Sequence, residues 1–258
     1  MQARAARAAE VSKDMRSSNP VLSRPDVFSR GAYGSAPGTV DPASRPMTMN
    51  DVVERTAALL IVAAGTGAVS WSANVGPGLA LAAVLVGLVV GIITQMQARV
   101  NPVLAFAYAA IEGVFLGAIS RWQEQLHPGV VIQAVAGTAV TFAVMLALYR
   151  SGVVRLSPRF TKVLIGASLG YLILMLGNLL LMGFHQGFNP WHGGLGLLTA
   201  GVGAVMASLY LTLDFDMVER GIRSGAPESE AWRAAFGLTV TLIWLYIELL
   251  RLISILRD

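Results

Sequence analysis

No cysteine occurs in the 258-residue chain, which excludes disulfides, thiolate metal sites and cysteine nucleophiles. Charge is scarce too: Asp, Glu, Lys and Arg make up 13% of residues, against about 25% in a soluble globular chain. With 55% hydrophobic residues and a mean hydropathy of +0.62, one water-soluble core could not hide so much apolar surface, and most of the chain is solvated by lipid. The net charge of +4 and sequence pI of about 9.8 do not indicate a nucleic-acid partner, because the bases punctuate apolar stretches rather than line one face. A signal-peptide run is missing from residues 1–48, which are rich in Ser, Pro, Gly and Arg. They read as a disordered cytoplasmic tail ahead of a transmembrane domain over 49–258. No lipidation motif, HExxH or Walker-type loop is present.

What is present is a series of long uncharged stretches. From Thr56 to Ala98 there are 43 residues without Asp, Glu, Lys or Arg, broken by Asn74, Val75, Gly76, Pro77 and Gly78. A bilayer core needs about 20 helical residues, so this stretch predicts spans near 53–74 and 78–98. A third follows from Pro102 to Ser120 and a fourth lies within 125–149. The 51 uncharged residues from Val163 to Leu213 hold the fifth and sixth, divided near Asn189, Pro190 and Gly193. The seventh runs over 234–256. The fold class is therefore an all-α integral membrane bundle of seven helices. Alternating the connections puts 16 of the 19 Lys and Arg residues on the side of the N-terminus, with Arg121, Arg251 and Arg257 opposite, so the N-terminus is expected in the cytoplasm. Gly-xxx-Gly spacings at Gly87 and Gly91, Gly113 and Gly117, and Gly166 and Gly170 suit close helix contact.

An ionisable group at bilayer depth costs about 3 kcal/mol, so each needs a partner, a wet cavity or neutralisation. Four carboxylates qualify as proton-sensing or ion-pathway residues: Glu112 in the third span, Asp214 and Asp216 at the cytoplasmic end of the sixth, and Glu248 in the seventh. Thr241, Trp244, Glu248 and Arg251 form a polar stripe at helical spacing, so that face of the seventh helix points into the bundle. Structural readings stand beside these. Glu248 pairs with Arg251 near the membrane surface, Glu112 makes one interhelical hydrogen bond, and Asp214 and Asp216 end the sixth helix in a solvated cap. The run Gly166, Ala167, Ser168, Leu169, Gly170 matches G-x-S-x-G, yet a serine nucleophile needs a base. His127, His185 and His192 all fall in loops or at helix ends, so these small residues are expected to pack the fifth helix against a neighbour. His185 and His192 lack a third strong metal ligand. Neither an enzyme nor a bound metal or cofactor is expected.

Pro102, Tyr108, Ala109, Ile111, Glu112 and Gly113 in the third span, with Tyr210, Leu213, Asp214, Phe215, Asp216, Met217 and Val218 after the sixth, resemble the Bax inhibitor motif family. The resemblance runs over about residues 49–258. The tail residues Arg16, Ser17, Ser18, Asn19 and Pro20 are similar to those of one bacterial branch. Asp214 occupies the aspartate of a family Asp-Thr-Gln pattern, and Asp216 replaces its Gln. Aligning Leu245, Tyr246, Leu249, Leu250 and Arg251 with the family's last helix puts Thr241 where a second aspartate belongs and Trp244 where an Asn belongs. The resemblance implies a central seventh helix and a bacterial inner-membrane leak for cations, chiefly Ca²⁺ as the transported ion. It also implies gating by two carboxylates that share a proton, of which one is missing here. Glu248, two turns beyond Thr241, and Asp216 are the candidate replacements. The other function it allows is binding and restraint of a membrane protease, in which the tail would matter more than the carboxylates.

Overall fold

The computed structural model describes residues 45–153, 157–183 and 193–258. The tail through residue 44, and His185, Asn189, Pro190 and His192, lie outside the described residues. Seven helices are long and apolar enough to cross a membrane: α1 (Met49–Ser72), α2 (Pro77–Met96), α3 (Pro102–Leu126), α4 (Val130–Arg150), α5 (Pro158–Gly183), α6 (Gly193–Arg223) and α7 (Ala231–Ile255). A single 3-10 turn, Glu228–Glu230, leads into α7. No strand occurs among the described residues.

Local chemistry sets the helix starts. Thr48 and Asp51 form a capping box at α1, so two backbone donors that the helix leaves free are satisfied. Pro77 and Pro102 occupy first-turn positions of α2 and α3, where a missing N–H costs nothing. Gly129, at φ 86°, turns the chain into α4. Two helices run past the ends expected from hydropathy. The α3 helix continues to Leu126 because Arg121 donates to the Trp71 carbonyl at 2.8 Å and Glu124 accepts from the Gly129 N–H at 2.6 Å. The α6 helix continues to Arg223, carried by the i,i+4 pairs Asp216 with Arg220 and Glu219 with Arg223. Asp214 therefore lies inside a helix, not in a solvated cap.

The α7 helix is the most buried of the seven and packs on α1, α3, α4 and α6. Its two sides join two cores. Leu211, Phe215, Leu238 and Leu245 meet Phe142 on one side, and Leu59, Tyr108, Phe236 and Ile243 cluster on the other. Glycine decides how closely the remaining helices approach. A Cβ on Gly117 would collide with the Gly67 carbonyl oxygen, and one on Gly113 with Thr66 and the Ala63 carbonyl, so α1 and α3 touch backbone to backbone. Gly91 receives the Tyr108 ring and Gly87 the Glu112 carboxylate, linking α2 to α3. The third spacing behaves differently: nothing lies within 4 Å of a Cβ built on Gly166 or Gly170. The expectation that these residues pack α5 against a neighbour is corrected, because the buried stripe of α5 lies elsewhere. Arg251 also lies inside the bundle, at 5% exposure.

Gly117→Ala should lower stability by about 1–3 kcal/mol, the cost of overpacking, whereas Gly166→Ala should stay within about 0.5 kcal/mol of wild type. Reversible unfolding of purified protein in mixed micelles measures both.

Candidate intramembrane polar site

Two groups of polar side chains are buried along α7. The first centres on Asp214, which is 8% exposed and faces α7 across Gly237, where a Cβ would come 3.5 Å from Oδ1. Thr241 of α7 lies beside it, and among the described residues Oδ2 has no hydrogen-bond partner. Thr241 is itself buried, at 5% exposure. The carboxyl and the hydroxyl are thus brought together from α6 and α7, without a cation in ion-pair contact among the described residues.

The second group is built around Glu248. Its Oε2 lies 2.8 Å from Arg251 Nη2, with both side chains almost wholly buried, although the approach is not aligned as a hydrogen bond. The i,i+3 spacing stacks the two groups on one face. Glu248 Oε1 accepts from the Tyr171 hydroxyl at 2.7 Å and from Trp244 Nε1 at 3.0 Å. Arg251 Nη2 donates to the Tyr171 oxygen at 2.7 Å. Both members of this pair are buried within the bundle. The pairing is possible only because Gly203 of α6 leaves space, since a Cβ there would come 2.5 Å from the Glu248 carboxyl carbon.

The two groups are separate. Gly203 and Asp214 are eleven residues apart on α6, about 16 Å along the axis, and Thr241 and Glu248 are about 10 Å apart on α7. Asp216 is turned about 200° around α6 from Asp214 and is ion-paired with Arg220. Glu112 is half-buried against Gly87 and has no hydrogen-bond or ion-pair partner among the described residues. The structure thus places Asp214 beside Thr241 and Glu248 beside Trp244 and Arg251, and leaves Asp216 and Glu112 apart from both.

Tyr171 and Gly203 escaped the sequence reading because each lies in an uncharged apolar stretch. A lone tyrosine near the middle of α5 was the available signal, since a phenol in lipid needs a partner. Among the described residues, no group of three His, Asp or Glu could hold a metal ion. Ser168 donates to the Leu164 carbonyl at 2.9 Å, and His127 lies at the C-cap of α3 against Asp258, so a serine and base are not assembled there.

A seven-helix membrane bundle with buried carboxyls where α6 meets α7 defines a class of multi-pass membrane proteins. The chain belongs to the Bax inhibitor 1 like family, whose pattern it matches over residues 9–258. That match extends into the N-terminal segment, beyond the region of resemblance read from the motifs. No curated protein matches the chain.

Removing one member of a buried ion pair costs about 3–5 kcal/mol, whereas replacing both can be neutral. Arg251→Met and Glu248→Met should each destabilise by that order, and the double variant should regain most of the loss. A double-mutant cycle on unfolding reads the coupling.

Proposed function

We propose that this protein is a bacterial inner-membrane cation leak, with Ca²⁺ as the main cargo, whose path passes Asp214 where α6 meets α7. The observation that carries this reading is the Asp214 carboxyl, buried and with one oxygen unpartnered beside Thr241. A buried carboxyl without a cation offers a hard oxygen ligand to a passing ion, and a single carboxylate suits transit better than tight binding. Glu248 has its charge matched by Arg251, which leaves Asp214 as the acid group at the α6–α7 contact available to ions and protons, with the half-buried Glu112 the other uncompensated acid. Thr241 can hydrogen-bond to Asp214 but cannot share a proton with it as a second carboxylate would. On this reading the protein conducts with a weaker response to pH than a two-carboxylate relative. Glu112, facing Gly87, is assigned a secondary place beside the path, and Asp216 a place in the solvated end of α6.

A second reading, a modulator that binds a membrane protease, has its own observation. A lateral groove of about 1320 Å³ lies between α1 and α4 and is floored by α3, α6 and α7. Ala57, Ala64, Ala68 and Ala139 line it, and such small residues admit a helix closely. If this reading holds, deletion of residues 1–48 or Ala64→Trp should abolish co-purification of a protease.

Liposomes containing the purified protein should take up Ca²⁺ between pH 5 and 8. Asp214→Asn should cut that flux at least tenfold, and Thr241→Asp should steepen its pH dependence. Absence of flux in the wild type at every pH would remove the leak reading and bring the protease partner forward.

The bias of basic residues supports an orientation with Ser151 in the cytoplasm and Ser72 on the far side. In the cysteine-free chain, an impermeant maleimide should label Ser72→Cys in intact spheroplasts and Ser151→Cys only after lysis.

A further inference from the structure

Lipid tails are as apolar as leucine, so apolar burial does not press one helix against another within a bilayer. How α5 is held is therefore a specific question. Its inward residues among those described are Thr161, Leu164, Ser168, Tyr171, Met175, Leu176, Gly177 and Asn178, while Val163, Ile165, Leu169, Leu172, Ile173 and Leu174 are exposed. Half of that inward stripe is polar. Ser168 spends its hydroxyl on its own helix, and Asn178 has an unpartnered Oδ1.

The polar attachment falls on Tyr171. Its oxygen lies 2.7 Å from Glu248 Oε1, 2.7 Å from Arg251 Nη2 and 3.3 Å from the Thr199 carbonyl oxygen. A hydroxyl has one proton to donate, and the shorter distance assigns it to Glu248. Arg251 adds one weak contact, Nη1 to Met175 Sδ at 3.6 Å. Gly203 is fitted to the same point, because a Cβ there would come 2.6 Å from the Tyr171 oxygen. One side chain of α5 thus meets α6 and both charges of the α7 ion pair, and among the described residues the other hydrogen-bonding contact of α5 to another helix is the weak one at Met175.

We propose that Tyr171 is a latch: its hydroxyl docks α5 onto the Glu248 and Arg251 pair, and its release lets α5 swing outward and uncover that pair. With Tyr171 withdrawn, Glu248 and Arg251 remain paired with each other, so the open state leaves no isolated charge. A two-state docking of one helix about a polar contact is a shear or hinge motion of the ordinary kind. That the motion also gates ions rests on the leak reading above; the motion itself does not.

The chain lacks cysteine, so spin labels can be placed at Ile132→Cys on α4 and Ile173→Cys on α5 without background, both positions being exposed. Electron-electron distance distributions are recorded in nanodiscs for the labelled wild type, Tyr171→Phe, Gly203→Ala and, as a control in the same stripe, Ser168→Ala. Tyr171→Phe should raise the ratio of the longer to the shorter distance about threefold, as expected for loss of one interhelical hydrogen bond. Gly203→Ala should move it the same way, and Ser168→Ala should leave it unchanged. Should Tyr171→Phe fail to fold, Gly203→Ala decides the matter by the same distance. Identical distributions in wild type and the folded latch variants overturn the latch. Ca²⁺ flux is measured on the same samples. Shifted distances without flux in any sample keep the latch and remove the leak, whereas flux with unshifted distances does the reverse.

Discussion

Helices inside a bilayer gain nothing by leaving lipid for one another, so every contact in this bundle has to be made by shape or by polar pairing. The α1 and α3 helices solve this with shape. Gly67, Gly113 and Gly117 let two backbones meet where any Cβ would collide. The α5 helix solves it with polarity, through one tyrosine hydroxyl on a buried ion pair. The α7 helix uses both means, and for that reason it sits among the others.

The same constraint makes the interior polar groups informative. A buried charge without compensation is expensive in lipid, and the two polar groups on α7 meet that cost differently. Glu248 is compensated within its own helix by Arg251 and further by Tyr171 and Trp244, which makes it a structural junction. Asp214 has Thr241 and, among the described residues, no cation, which leaves it chemically available. Glu248 is engaged by Arg251 about two turns beyond Thr241, and Asp216 is paired with Arg220.

Much of the fold was legible in advance because hydropathy is a one-dimensional property. Seven apolar stretches of sufficient length give seven spans whatever their arrangement, and the stripe from Thr241 to Arg251 marks the inner face of α7. The ends of α3 and α6 were not legible from hydropathy, since Arg121 and the ladder of acids and bases after Asp214 extend those helices by contacts that hydropathy counts as breaks. The three Gly-xxx-Gly spacings look alike in one dimension, yet two are interfaces and Gly166 with Gly170 faces open space. Spacing states that a smooth face exists, not that a helix lies against it.

The sequence by itself determined the class of protein, the number of spans, the inward face of α7 and the small set of acids that had to be explained. Partners were decided by the tertiary structure: that Asp214 meets Thr241, that Glu248 keeps to Arg251 and Tyr171, and that Gly203 makes room for both. The physical reason is reach. Hydrophobic periodicity is a sum over neighbours along one helix, whereas a hydrogen bond or ion pair extends about 3 Å and depends on which helices the fold sets side by side.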